Sequence, residues 1–162
     1  SVGSFYTRFT DKDAYFICLE HAVVQYNRTM SNQALSEQSI ALLTAQGCLE
    51  LLVDLLVDIF TSPGRGVLRE AFVRITEPGD LWGPMRQSAQ DIMASCHETM
   101  AHKFDHISHQ QACDNLSYSF QIIVGILQND LVNGNHIYKA ANNSLREPLK
   151  RTVLAYNSTF SK

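Results

Sequence analysis

Apolar residues recur along most of this chain at three- and four-residue spacing, and short polar or Gly/Pro-rich stretches interrupt them. That is the pattern of successive amphipathic helices. Residues 1–9 carry aromatics without a period and are expected as an extended arm. Thr10 followed by Asp13 offers a capping-box variant. Tyr15, Cys18, Leu19, Ala22, Tyr26 and Met30 then mark one helical face, and Ser31 to Ala34 predict a turn. A second helix is expected over 36–60 and is the most apolar. Between Leu49 and Phe60 only Glu50, Asp54 and Asp58 interrupt the hydrophobic run. Spaced four apart, they form one narrow stripe, and the rest of that stretch requires burial. This helix is therefore expected at the centre, ended by Ser62-Pro63-Gly64-Arg65-Gly66.

A short third helix is predicted over 67–76, stopped by Glu77-Pro78-Gly79. The loop from Leu81 to Pro84 holds the only tryptophan, Trp82. Pro84 suits the first turn of a fourth helix, with Ala89, Ile92, Met93, Cys96, Met100 and Phe104 facing inward. A fifth begins near Ser108, runs through Cys113, Leu116, Phe120, Ile123, Leu127 and Leu131, and stops at Asn133-Gly134-Asn135. The last spans 137–160, where Pro148 kinks it or divides it after Arg146. No repeat, low-complexity tract or linker appears. The expected fold is a single all-α domain over 1–162, an antiparallel bundle of five to six helices.

The cysteines add a constraint. Cys18 and Cys48 are centred on residue 33, and Cys96 and Cys113 between residues 104 and 105, each near a predicted turn. In an antiparallel hairpin, residues equidistant from the turn lie opposite each other. With helix axes about 8–10 Å apart and each Cα about 2.3 Å off its axis, facing Cα atoms approach to about 4–6 Å, within disulfide range. Disulfides Cys18–Cys48 and Cys96–Cys113 are thus expected, each worth about 3 kcal/mol on the chain-entropy model. They imply an oxidising compartment. Asn-x-Ser/Thr occurs at Asn27, Asn115, Asn142 and Asn157, where composition alone gives about one such site. Together these features predict a secreted glycoprotein; the opening Ser1-Val2-Gly3 is what a removed signal peptide, or equally a tag remnant, leaves.

Composition narrows the function classes. With 162 residues, 45% of them hydrophobic, the chain can bury a real core. A net charge of −3 argues against nucleic acid and anionic membrane as partners. Arg65, Arg69 and Arg74, and Arg146, Lys150 and Arg151, are interspersed with Glu70 and Glu147 and read as solvated faces. The acidic stripe reads likewise as a solvated edge. No apolar run is long enough for a transmembrane segment.

Four histidines, His97, His102, His106 and His109, fall within thirteen residues. His97-Glu98 followed by His102 misses the zincin spacing by one residue. Glu98, His102 and His106 are correctly spaced for one divalent metal only if the helix stays regular to 106, where a turn is expected. Structural, exposed or pH-sensing roles are the other readings. No nucleophile elbow, phosphate loop or dinucleotide fingerprint occurs. The stripe lacks the Glu-x-x-His pairs of di-iron bundles. An enzyme is not expected, nor are catalytic residues, a metal or a cofactor.

Two features fit binding. The second helix is apolar over a wider arc than one contact surface uses, and Trp82 sits in a loop. Leu52, Leu56, Phe60 and Trp82 are the candidate ligand-binding residues. Size, helix count and cysteine number resemble secreted helical-bundle proteins such as four-helical cytokines and plant-type esterase-inhibitor bundles. That likeness is of architecture, carries no motif and transfers no residue role. The leading expectation is a secreted, glycosylated, non-enzymatic binding protein that recognises a protein receptor or host partner through a helix face. The first alternative is an extracellular carrier of a small hydrophobic, lipid-like ligand held beside the second helix. The second is a metal-dependent enzyme using Glu98, His102 and His106.

Overall fold

Side chains that accept the first free backbone N–H groups decide where most of the helices begin. A computed structural model of the chain describes residues 9–74, 82–134 and 144–158, and within them every regular element is helical. In chain order these are α1 (Lys12–Ala34), α2 (Glu37–Ile40), α3 (Ala45–Thr61), α4 (Arg65–Val73), α5 (Gly83–Met100), α6 (His109–Asn133) and α7 (Arg146–Ser158). A 3-10 turn, Ala101–Lys103, follows α5. Asp11 caps α1, accepting from the Ala14 N–H at 2.8 Å, one residue later than the Thr10 cap expected. Thr44 caps α3 through the Gly47 N–H at 3.2 Å. Ser108 and Gln111 close a reciprocal capping box on α6, and Gly134 at φ 71° follows its last turn. Pro148 sits in the first turn of α7, where its missing N–H costs nothing.

The predicted turn at 31–34 is helix instead. Ser31 is buried and its Oγ donates to the Asn27 carbonyl. That local bond accommodates a polar side chain without ending the helix. The continuous helix expected over 36–60 is in turn split into α2 and α3.

The nearly continuous apolar surface of α3 puts it at the centre, packed against α1, α4, α6 and α7. Helix α5 packs between α1 and α6. Leu52, Val53 and Val57 of α3, Met100, Leu116 and Ile123 meet in one core with at most traces of solvent exposure. The acidic stripe lies on a partly exposed edge, and two of its three carboxylates are paired across to α7. Arg146 of α7 donates to Asp54 Oδ1 at 2.9 Å and to Asp58, and Lys150 pairs with Asp54 at 2.9 Å. This charged seam fixes the register of α7 on α3. No described helix is long and apolar enough to cross a membrane.

The expected disulfides do not form: all four cysteines are free. For Cys18 and Cys48 the error lies in the turn. The connection between α1 and α3 spans 35–44, centred between residues 39 and 40, so the mirror position of Cys48 is Ser31 and Cys18 lies far along α1. For Cys96 and Cys113 the turn is correctly centred, because 101–108 separates the two helices. Equal distance from a turn fixes height along the helices, however, and not side-chain direction. The α5–α6 seam is made by Ser117 Oγ with His97 Nε2 at 2.9 Å and Met93 Sδ at 3.7 Å. Cys96, about 100° round from His97, points into the core beside Cys48. Cys113 sits half-buried, its Sγ 3.6 Å from His109 Nε2. The sulfur argument for an oxidising compartment falls with the bridges.

Candidate ligand cavity

The C-terminal half of α3 meets four other helices where small side chains face large ones, and they fail to fill the space. Leu56, Ile59 and Phe60 form the α3 wall of a cavity of about 150 Å³. Across from them α4 contributes Leu68, Ala71 and Phe72, and α6 contributes Phe120 and Val124. Met85, Ser88, Ala89 and Ile92 come from α5, and Asn27 comes from α1. The Phe60 and Phe72 rings stack with centroids 5.8 Å apart. Gly64 lets α4 start against α1: a Cβ there would meet Val23 Cγ2 at 2.6 Å. Beside these rings, Ala71, Ser88 and Ala89 are small residues of the wall. Arg86 and Ala89 line the cavity yet are exposed, so the opening lies on the α5 side.

Trp82 closes the cavity next to the N-terminus of α5. That terminus has no side-chain cap of its own. Glu20 of α1 supplies one from across the bundle, its Oε1 accepting from the Met85 N–H at 3.2 Å. Glu20 is 1% exposed, and burial pushes its carboxyl above the usual range, against the opposing pull of the Met85 N–H, His21 and Arg86. The favourable helix dipole at this end suits an acidic group.

Two polar atoms in the wall have no hydrogen-bond partner among the described residues: Asn27 Oδ1 and Trp82 Nε1. Their residues are 3% and 7% exposed. A buried donor or acceptor left unpaired costs about 1–3 kcal/mol. Both residues line the cavity, while the two atoms themselves are closed off from solvent.

Of the candidate ligand-binding residues, Leu56, Phe60 and Trp82 line this cavity. Leu52, one turn earlier on α3, lies in the core away from it. The sequence reading missed Asn27, Ala71 and Ser88. It placed the inner face of α1 along Cys18, Ala22, Tyr26 and Met30. The buried positions are instead Glu20, Val23, Val24, Asn27 and Ser31, a face rotated by about 135°. Cys18 and Tyr26 are exposed. The signal was present as three polar residues, Glu20, Asn27 and Ser31, at helical spacing with Val24, but hydropathy assigns polar residues to solvent.

Among the described residues no group of three His, Cys, Asp or Glu side chains is placed to hold a metal ion. Glu98 and His102 share one surface groove, whereas His106 lies in another beside Asn115 and Asn157. The 3-10 turn at Ala101–Lys103 breaks the helical register the metal set required. His97 and His109 are engaged with Ser117 and Cys113. Of the four sequons, Asn27, Asn115 and Asn157 have buried side chains within helices. A glycan there would have to displace packed neighbours. Asn142 lies outside the described residues. Comparison with protein-family models, curated proteins and solved structures finds no match to this chain.

Proposed function

We propose that this protein is a non-enzymatic binding protein for a small hydrophobic molecule, held in the cavity among α1, α3, α4, α5 and α6. The observation that carries this reading is the cavity itself, about 150 Å³ and walled almost wholly by aliphatic and aromatic side chains. An apolar void of that size admits a benzene-sized guest. The cavity's opening on the α5 side gives a guest a route in. The ligand is thus smaller than an acyl chain of ordinary length, and the lipid-like carrier narrows to a carrier or sensor of single-ring compounds.

Recognition of a protein partner through a helix face has weaker support. The large exposed apolar residues are dispersed. Ile17 and Tyr26 lie on α1 about 180° apart, Leu42 lies before α3, Val73 ends α4, and Tyr118 lies on α6. They mark no common face of one helix.

Thermal unfolding in the presence of single-ring hydrocarbons such as toluene tests the proposal. A ligand at ten times its Kd adds about 1.4 kcal/mol, which raises Tm by about 3–5 °C in a chain of this length. If no compound of this size moves Tm at its solubility limit, the proposal is wrong.

A further inference from the structure

We infer that the bundle holds a second ligand site towards the other end of α3, a groove that takes a cyclic amide, a ring bearing a cis N–H/C=O edge. The groove measures about 290 Å³ and shares no residue with the apolar cavity. Leu49 of α3 forms one wall, about 10 Å along the helix from Leu56. Phe104 and Ile107 come from the connection before α6, and Leu154 comes from α7. Asn115 of α6 lines the groove with them.

Asn115 is 7% exposed, yet its amide makes no hydrogen bond to any described residue. Neither of its polar atoms is sealed from solvent as Asn27 Oδ1 and Trp82 Nε1 are, and the residue opens on this groove. The other polar side chains of the lining are engaged. Gln46 donates to Glu50 Oε1 at 2.8 Å, and Asn157 donates to Ser119 Oγ at 3.0 Å and to the Val153 carbonyl at 2.9 Å. Ser158 donates to the Ala155 carbonyl at 2.8 Å, and His106 Nδ1 lies 3.5 Å from Asp105. A polar side chain this buried is ordinarily bonded within the protein. The open amide of Asn115 is instead presented to whatever enters the groove.

That amide offers an acceptor and a donor side by side. A cyclic amide answers both with two parallel bonds, its N–H donating to Oδ1 and its C=O accepting from Nδ2. The match survives exchange of the Asn oxygen and nitrogen, because the ligand's edge can turn over with them. A carboxylate has only acceptors and would set a negative charge against Oδ1, and an ammonium group has only donors. A hydroxyl has its donor and acceptor on one atom and does not span the pair. A nucleobase has the edge, but its further polar groups would lie unpaired against Leu49, Phe104, Ile107 and Leu154. Water serves an open amide until a ligand reproduces its bonds.

The decisive probes are 2-quinolone and 1-methyl-2-quinolone. The second is the more apolar but lacks the N–H, so a merely greasy groove holds it more tightly. Titration of the full chain, followed by NMR, locates each probe and measures its affinity. We expect 2-quinolone to shift the Asn115 side-chain amide resonances and those of Leu49 and Leu154, and the methylated probe to bind about tenfold more weakly. Asn115→Leu breaks no bond to a described residue and is expected to keep Tm while abolishing the preference between the probes. If the methylated probe binds as tightly as 2-quinolone in the parent, the amide edge is overturned. If the preference survives Asn115→Leu, the assignment to Asn115 is overturned. If neither probe moves the groove's resonances, the site is overturned, whatever toluene does in the apolar cavity. Should Asn115→Leu not fold, the comparison in the parent and the Asn115 resonances decide.

Discussion

Filling the cavity from the protein side separates a ligand site from a packing defect. Ala71 is 5% exposed, lies on α4 and faces the void, so Ala71→Leu adds three carbons into it. Burying them contributes about 2.4 kcal/mol at about 0.8 kcal/mol each, less about 0.5–1 kcal/mol of lost rotamer freedom. A net gain of about 1.5 kcal/mol is expected. In a chain of this length that raises Tm by about 3–6 °C. The same substitution occupies the guest's volume, so the Tm rise given by toluene is expected to vanish. Differential scanning calorimetry with and without ligand reads both effects in one experiment. A Tm that falls would mean the void is already closed in solution. A Tm that rises while the ligand shift persists would mean the ligand binds elsewhere. Either result refutes the reasoning.

Other consequences are more local. The raised carboxyl of Glu20 means that the folded state holds its proton more tightly than the unfolded state. Its contribution is therefore largest at low pH and is lost as pH rises through the folded-state value. Glu20→Gln keeps an acceptor for the Met85 N–H without the buried charge. It is expected to melt higher than the parent at pH 7, with the advantage gone below pH 4, as thermal melts across that range will show. Cys96, pushed up to about 12 by burial and the neighbouring Cys48 thiol, is expected to resist alkylation in the folded protein. Mass spectrometry without reductant is expected to count Cys18 and Cys113 labelled in buffer and all four thiols in denaturant; no labelling in denaturant would restore the bridges. Arg146→Met removes the cation shared by Asp54 and Asp58. It is expected to cost about 1–2 kcal/mol in urea unfolding, more than an exposed ion pair contributes, and an unchanged midpoint would reject the seam.

Local chemistry was legible in the sequence. The Ser108 cap, the Gly134 stop and the centrality of α3 follow from side chains within a few residues of each event. What misled was treating polarity as exposure. Ser31, Asn32 and Gln33 look like a turn, yet Ser31 bonds back to its own helix. That error displaced the hairpin centre and created the Cys18–Cys48 pairing. The same assumption turned α1 the wrong way round, with Tyr26 inside and Asn27 outside as a glycan acceptor. The Asp54–Arg146 seam was hidden for the same reason, since each half reads as a solvated charge until the other is opposite it. The cavity was least visible. Leu56, Phe60 and Trp82 announce themselves by size, but a void is made by what is missing, and Ala71, Ser88 and Ala89 are unremarkable as single letters.

The features that cost this fold stability are not spread evenly. Around Cys48, Cys96, Met100 and Leu116 the side chains exclude solvent completely. At the other end, around Trp82, lie an apolar void, two unpaired polar atoms and a buried carboxyl held by another helix's N-terminus. Each could be relieved by one ordinary exchange, Ala71→Leu, Asn27→Leu or Glu20→Gln. A binding site accounts for the apolar space, because a pocket must be left unfilled until the ligand arrives. Glu20 belongs to the same group: by capping α5 it sets where Trp82 and Met85 stand. The wall of the cavity is thereby held from α1, the helix that also carries Asn27.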